Sequence, residues 1–161
     1  MPNIFGKVVD VVMEDASAIG GLVIQGLLVV VFWRSGHPGW KALMAGFVAA
    51  HLVTYIIRSV FFRNRPKKRG HTNTIERLDA SSFPSLHAAR TGASMGLLML
   101  MFDQLVPVFG GLIVLVAVSR ISLKHHDIWD VLSGLFLGGL IAWGASTVFP
   151  VGRTLRSIIG G

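Results

Sequence analysis

Five blocks of apolar residues decide what this chain can fold into. Ala16 to Trp33, Trp40 to Phe62, Phe83 to Phe102, Leu105 to Leu123 and Ile128 to Val151 are each about long enough to cross a ~30 Å hydrocarbon layer as a helix. With 52% hydrophobic and only 14% charged residues, the chain lies outside the range of an ordinary soluble domain. A bilayer core offers no water to backbone groups, so spanning segments must close their hydrogen bonds internally, as helices do. The expected fold is therefore all-α, a polytopic transmembrane helical bundle of about five spans. The stretch Gly134-Leu135-Phe136-Leu137-Gly138 suits close helix packing, which in a glycine-rich membrane chain is more often within one molecule than between two.

The first residues alternate Lys7, Asp10, Glu14 and Asp15 with Ile4, Phe5, Val8, Val9, Val11 and Val12. That mixture predicts a short N-terminal interfacial helix leading into the first span. It lacks the basic start and small-residue cleavage site of a secretory signal, so insertion through the first span is expected. Cysteine is absent, which excludes disulfides, thiolate metal sites and a cysteine nucleophile. A chain of 161 residues with short connections has room for one domain, 1–161, and shows no internal repeat.

The net charge of +7 is concentrated between Arg63 and Ser82, where Arg63, Arg65, Lys67, Lys68, Arg69 and Arg77 face only Glu76 and Asp79. Such a loop attracts anions. Taken alone it fits a cytoplasmic loop obeying the positive-inside tendency, or one resting on anionic membrane lipids. No nucleic-acid partner is expected, because the loop lacks interleaved aromatics and lies between two spans.

Five spans in alternation put the N-terminus, the 63–82 loop and the 120–127 connection on one membrane face. Arg58 and Arg65 then bracket the end of the second span, and Ser85, Leu86 and His87 begin the third. Arg120, His126 and Asp130 lie between the fourth and fifth. An ionisable group in a membrane helix costs roughly 2.5 to 3.5 kcal/mol on insertion scales, so Arg58 and Asp130 need partners or water. The set suits phosphoryl chemistry. Guanidinium forks match phosphate oxygens, so Arg58, Arg65 and Arg120 can hold a phosphoryl group as charge develops on it. His126 is the candidate nucleophile, with Asp130 four residues on and within reach of its ring. His87 is the candidate general acid, and Ser85 with the N–H groups opening the third helix supplies further donors.

These segments resemble the three signature motifs of the type 2 phosphatidic acid phosphatase family, the membrane lipid phosphatases related to vanadium haloperoxidases. The family's Lys-x6-Arg-Pro corresponds to Arg58 through Pro66, its Pro-Ser-Gly-His to Pro84 through His87, and its Ser-Arg-x5-His-x3-Asp to Ser119 through Asp130 with His126 in register. Order and spacing fit throughout the motif region 58–130. The resemblance implies a helical core in which His126 attacks phosphorus and His87 serves as acid and base, with no metal and no cofactor. Two positions depart from the pattern. Arg58 replaces lysine and keeps the charge on a bulkier fork. Leu86 replaces glycine, and can crowd the phosphate or point into lipid or core, depending on the local backbone.

Other polar residues carry weaker roles. His125 and Asp127 are read as rim groups and Lys124 as steering anionic head groups. Arg90 is placed to pair with Asp79, Asp127 or a second phosphate. His51 is read as a packing or hydrogen-bonding residue, His71 has no role, and His37 with Trp40 fits an interfacial turn. Trp33, Trp129 and Trp143 are available as interface or core aromatics. Counting Lys7, Arg63, Lys67, Lys68, Arg69, Arg77 and Lys124 against Arg34, Lys41, Arg153 and Arg156 puts the motif face inside. The resemblance implies the extracytoplasmic face, which is the reading adopted, with the basic loop there for substrate capture.

The resulting expectation is a multi-pass phosphatase of a prokaryotic cell membrane, metal-independent, acting on a lipid phosphate or diphosphate through a phosphohistidine. A polyprenyl diphosphate, phosphatidate, phosphatidylglycerophosphate and a polyprenyl-sugar phosphate are all open as substrates. The run Lys67-Lys68-Arg69 leans toward a head group of more than one negative charge. The alternatives are a lipid phosphotransferase and a non-catalytic protein that binds anionic lipid. Oligomeric state is open.

Overall fold

The computed structural model describes residues 4–65, 72–149 and 151. Seven α-helices follow one another among these residues: α1 (Ile4–Ala18), α2 (Leu22–Arg34), α3 (Trp40–Val60), α4 (Thr74–Ala80), α5 (Leu86–Met101), α6 (Val106–Ser122) and α7 (Ile128–Val148). A single 3-10 turn, Asp103–Leu105, leads into α6. The only pairing of strand type among the described residues is an isolated antiparallel bridge, Asn64 with Ser81. The chain is a polytopic helical bundle.

Among the described residues three segments are long and apolar enough to cross a membrane, α3, the 3-10 turn with α6, and α7, or four if the bent pair α1–α2 makes one span, against the five expected. The first apolar block departs from the single span expected over Ala16 to Trp33. The interfacial helix predicted over the first residues runs on to Ala18, and α2 starts afresh at Leu22, bent by 41°. Gly20 and Gly21 sit at that break. A Cβ on Gly20 would lie 2.8 Å from Thr91 Oγ1 and 3.0 Å from the His87 carbonyl, so glycine there lets the bend press against α5.

The block from Phe83 yields α5, of about 24 Å at 1.5 Å per residue. It is the axis of the bundle, with most of its residues buried. Its tightest neighbour is α7. Gly134 packs against the Ser85 carbonyl and Ala88, and Gly138 against Ala89, Gly92 and Ala93. The small-residue stretch therefore packs within this molecule, which brings the start of α7 beside the start of α5. Val29, Leu43, Leu97, Leu98 and Met101 build a core toward the other end of α5. The outward faces of α2, α6 and α7 expose Val23, Leu27, Val31, Val108, Val114, Phe136 and Trp143, as lipid-facing helices do. Trp33 and Trp129 are exposed as well.

The basic stretch is not wholly irregular. Asn73 caps α4, its side-chain oxygen accepting from Glu76 N at 2.8 Å; the spacing Asn73-x-x-Glu76 is a helix-start signal. Ser82 N donates to the Arg63 carbonyl at 2.7 Å, so the two ends of the stretch are tied together. Lys67, Lys68, Arg69, Pro66 and His71 lie outside the described residues.

Candidate active site

A cavity of about 590 Å³ opens where the ends of α3, α5 and α6 converge with the loop before α7. Its wall carries Arg58, Arg65, Leu86, His87, Arg120 and His126 from the expected set, together with Leu22, His51, Tyr55, Asp79, Arg90 and His125. Ser85 and Asp130 are fully buried and stand behind that wall.

Arg58 lies in the last turn of α3 and is 3% exposed. Its Nη1 donates to the Leu78 carbonyl at 3.2 Å and Nη2 to the Pro84 carbonyl at 2.9 Å. Nε has no protein partner among the described residues. Arg120, in the last turn of α6, donates from Nη1 to Ser17 Oγ at 2.7 Å. The α1–α2 bend thus serves to position a guanidinium 103 residues away. Arg65 donates to the Asp79 carbonyl. No carboxylate lies within ion-pair distance of Arg58 or Arg120 among the described residues. Buried cations without anions are costly, and backbone carbonyls with one hydroxyl answer them only in part.

His126 is 2% exposed. Its Nδ1 is 2.8 Å from the Ser82 carbonyl. A carbonyl can only accept, so Nδ1 carries the proton and Nε2 keeps its lone pair. Asp130 Oδ2 is 3.8 Å from the same Nδ1, which makes it a neighbouring charge rather than a hydrogen-bond partner. The pairing anticipated between Asp130 and the ring is therefore looser than expected, because the Ser82 carbonyl accepts the Nδ1–H hydrogen bond. Burial holds His126 below the ordinary histidine range; Asp130 pulls the other way, while Arg120, Arg65 and Arg58 add to the lowering. The His87 ring makes no hydrogen bond to protein among the described residues, and the residue is only partly buried, so the ring is available to a ligand.

Asp130 is held tightly even so. Oδ1 accepts from Arg63 Nη1 at 2.8 Å and Oδ2 from Asp127 N at 2.9 Å. Arg63 also reaches Asp127 Oδ2 at 2.9 Å. This fork was invisible in the sequence, where Arg63 read as one more basic loop residue, and its signal would have been position alone, between Arg58 and Arg65. Asp127 is accordingly an ion-pair partner of Arg63 at the start of α7, and His125 lies on the cavity wall.

Ser85 is the expected phosphate ligand that does not face the cavity. It caps α5, its Oγ accepting from Ala88 N at 3.5 Å, and its N–H donates to the Asp130 carbonyl at 2.9 Å. Leu86 follows as the first residue of α5 with a negative φ, so the position makes no demand that only glycine meets. Its side chain is on the wall. On the far side, Arg90 Nη1 meets His51 Nε2 at 3.3 Å and Tyr55 donates to Asp79 Oδ1 at 3.1 Å. Arg90 thus pairs with neither Asp79 nor Asp127.

His126, the candidate nucleophile, His87, the candidate acid, and the clustered guanidiniums face one volume, an arrangement that suits in-line phosphoryl transfer. A family model for the PAP2 superfamily matches residues 39–153. A decaprenylphosphoryl-5-phosphoribose phosphatase of Mycobacterium tuberculosis is 30% identical over 121 residues, covering 75% of this chain and 67% of the relative; the same holds for strains CDC 1551 and H37Rv. Among solved structures, a transmembrane PAP2 type phosphatidylglycerolphosphate phosphatase from Bacillus subtilis superposes with a TM-score of 0.72 at 21% identity, covering 92% of this chain and 80% of that one.

Proposed function

The chain belongs to the PAP2 superfamily, and we propose on that premise that it removes phosphate from a lipid phosphate or diphosphate through a phosphohistidine on His126. The observation that carries this reading is the cavity itself. Arg58, Arg65 and Arg120 meet His87 and His126 on one wall, with no carboxylate paired to Arg58 or Arg120 among the described residues. An anion of at least two negative charges is what that wall lacks.

In the proposed reaction the Nε2 lone pair of His126 attacks phosphorus, and the bond to the leaving oxygen breaks as His87 protonates it. The three arginines carry the charge on the equatorial oxygens. His87, now neutral, takes a proton from water, whose oxygen attacks the phosphohistidine; inorganic phosphate leaves and Nε2 recovers its lone pair. Asp130 steadies the charge that His126 acquires. No step calls for a metal ion. As a multi-pass membrane protein it would work in a prokaryotic cell membrane, with the cavity at the extracytoplasmic face.

The test is release of inorganic phosphate by detergent-purified protein from a panel of lipid phosphates and diphosphates in EDTA, beside His126→Ala. Release that persists in EDTA and collapses in the variant supports metal-independent histidine catalysis. A folded wild type that binds these lipids and releases nothing would remove the phosphatase reading.

A further inference from the structure

Resting on the phosphatase reading of this cavity, we propose a second anion subsite, built on Arg90 and His51, that selects lipid head groups carrying another phosphate besides the one removed. Arg90 lies on α5 one turn after His87, is 4% exposed, and faces the same cavity. Its Nη1 is 3.3 Å from His51 Nε2, and His51 Nδ1 is 2.9 Å from the Phe47 carbonyl. That carbonyl can only accept, so Nδ1 holds the proton and Nε2 accepts from Arg90. A neutral imidazole therefore aims the guanidinium without cancelling its charge.

Among the described residues nothing else cancels it. No carboxylate lies within ion-pair distance of Arg90 among the described residues, and its Nε has no protein partner. Asp79 shares the wall but already receives the Tyr55 hydroxyl. A buried arginine with a purely structural task is normally satisfied by carbonyls or by a carboxylate.

Charge and size agree. Arg58, Arg65, Arg90 and Arg120 with Asp79 leave the wall three positive charges in excess. A phosphomonoester dianion answers two of them, and one further phosphate anion answers the third. A volume of about 590 Å³ falls in the range of whole small-molecule sites and exceeds what a lone phosphate fills. The second anion is either the other phosphate of a diphosphate or a phosphodiester that joins the lipid to a phosphorylated sugar or polyol; both offer oxygens to the same fork.

Three substrates in mixed micelles decide it: a lipid monophosphate, a polyprenyl diphosphate, and a lipid whose terminal phosphomonoester is separated from a phosphodiester by a sugar or polyol. The readout is the ratio of kcat/KM for each two-phosphate substrate to that for the monophosphate. The wild type should favour at least one two-phosphate substrate, and which one identifies the source of the second anion. Arg90→Gln should lower that ratio by about 10- to 100-fold, the scale of one charge-assisted contact, with Arg90→Lys recovering part of it. An unchanged ratio in folded Arg90→Gln overturns the subsite. So does a wild-type ratio at or below one, which needs no variant to fold. Efficient hydrolysis of the monophosphate alone sinks the subsite and leaves the phosphatase standing, whereas no hydrolysis of any substrate removes both.

Discussion

The Nδ1 proton of His126 is held by the Ser82 main-chain oxygen at 2.8 Å, while the Asp130 carboxylate stands at 3.8 Å. The tautomer that exposes Nε2 is thus set by backbone, and Asp130 contributes charge. In a hydrolase whose carboxylate fixes the tautomer, the amide variant costs about 10⁴-fold. Here Asp130→Asn should cost less, about 10- to 100-fold in kcat, the usual scale for a supporting residue, while His126→Ala should cost at least about a thousandfold. Steady-state kinetics on one lipid phosphate compares the two; equal losses would mean that Asp130, not Ser82, orients the ring.

The same environment fixes the acid limb of the pH profile. On the proposed reading His126 attacks only when neutral, so kcat/KM should rise with pH as it loses its proton. Its value in the free protein is lowered, by burial first, which moves that rise below the ordinary histidine value of about 6.5. Activity should therefore persist into mildly acidic buffer. Asp130→Asn removes the influence that raises the value, so its acid limb should move lower still even as its rate falls. A limb that moves up would contradict the assignment.

Arg63 touches Asp130 at 2.8 Å and Asp127 at 2.9 Å but is not on the cavity wall. On the proposed reading it acts as a positioning residue. Arg63→Gln should reduce kcat by about tenfold with KM nearly unchanged, because no substrate contact is lost. Arg63→Lys should recover part of it, though one ammonium cannot grip both carboxylates as the fork does. A rise in KM with constant kcat would instead place Arg63 among the substrate-binding groups.

Leu86 stands where the family pattern has glycine, and its helical backbone tolerates the side chain. Leu86→Gly should change kcat by no more than a few-fold and lower the thermal midpoint, since a buried leucine contributes roughly 1.5 to 3 kcal/mol. Thermal unfolding in detergent with parallel kinetics checks this. A large gain in kcat would show that the leucine obstructs the phosphate.

Much of the candidate site's cavity lining was legible because membrane spans leave few polar residues to choose from. Arg58, His87, Arg120 and His126 stood out at fixed spacing against apolar blocks, and alternation of the spans placed them on one face. What stayed hidden depends on proximity across the chain. Arg63 finds Asp130 67 residues later, and Arg90 finds His51 39 residues earlier. The Ser82 group that orients His126 is a carbonyl, so no side chain advertises it. The bend at Gly20 and Gly21 was passed over inside a long apolar run, although a Gly-Gly pair is a turn signal.

The register of α5 on α7 ties the fold to the chemistry, because α5 begins at His87's turn and α7 carries Asp130 in its first turn. A Cβ on Gly138 would stand 2.7 Å from Ala93 N and 2.8 Å from Gly92 Cα, and would meet the Ala89 carbonyl as well. All of these are backbone atoms, so neither helix can yield by turning a side chain. Gly138→Ala should push the two helices apart, costing about 1 to 3 kcal/mol of stability and lowering kcat several-fold through the displaced His87 and Asp130. Gly139, the next residue, has nothing within 4 Å of the same added atom. Gly139→Ala should leave kcat alone and be neutral or stabilising by up to about 1 kcal/mol, the usual helical preference for alanine. Thermal midpoints and phosphate release for the pair separate close packing from a general intolerance of change in α7; equal behaviour of the two variants would dissolve the link between this contact and the active site.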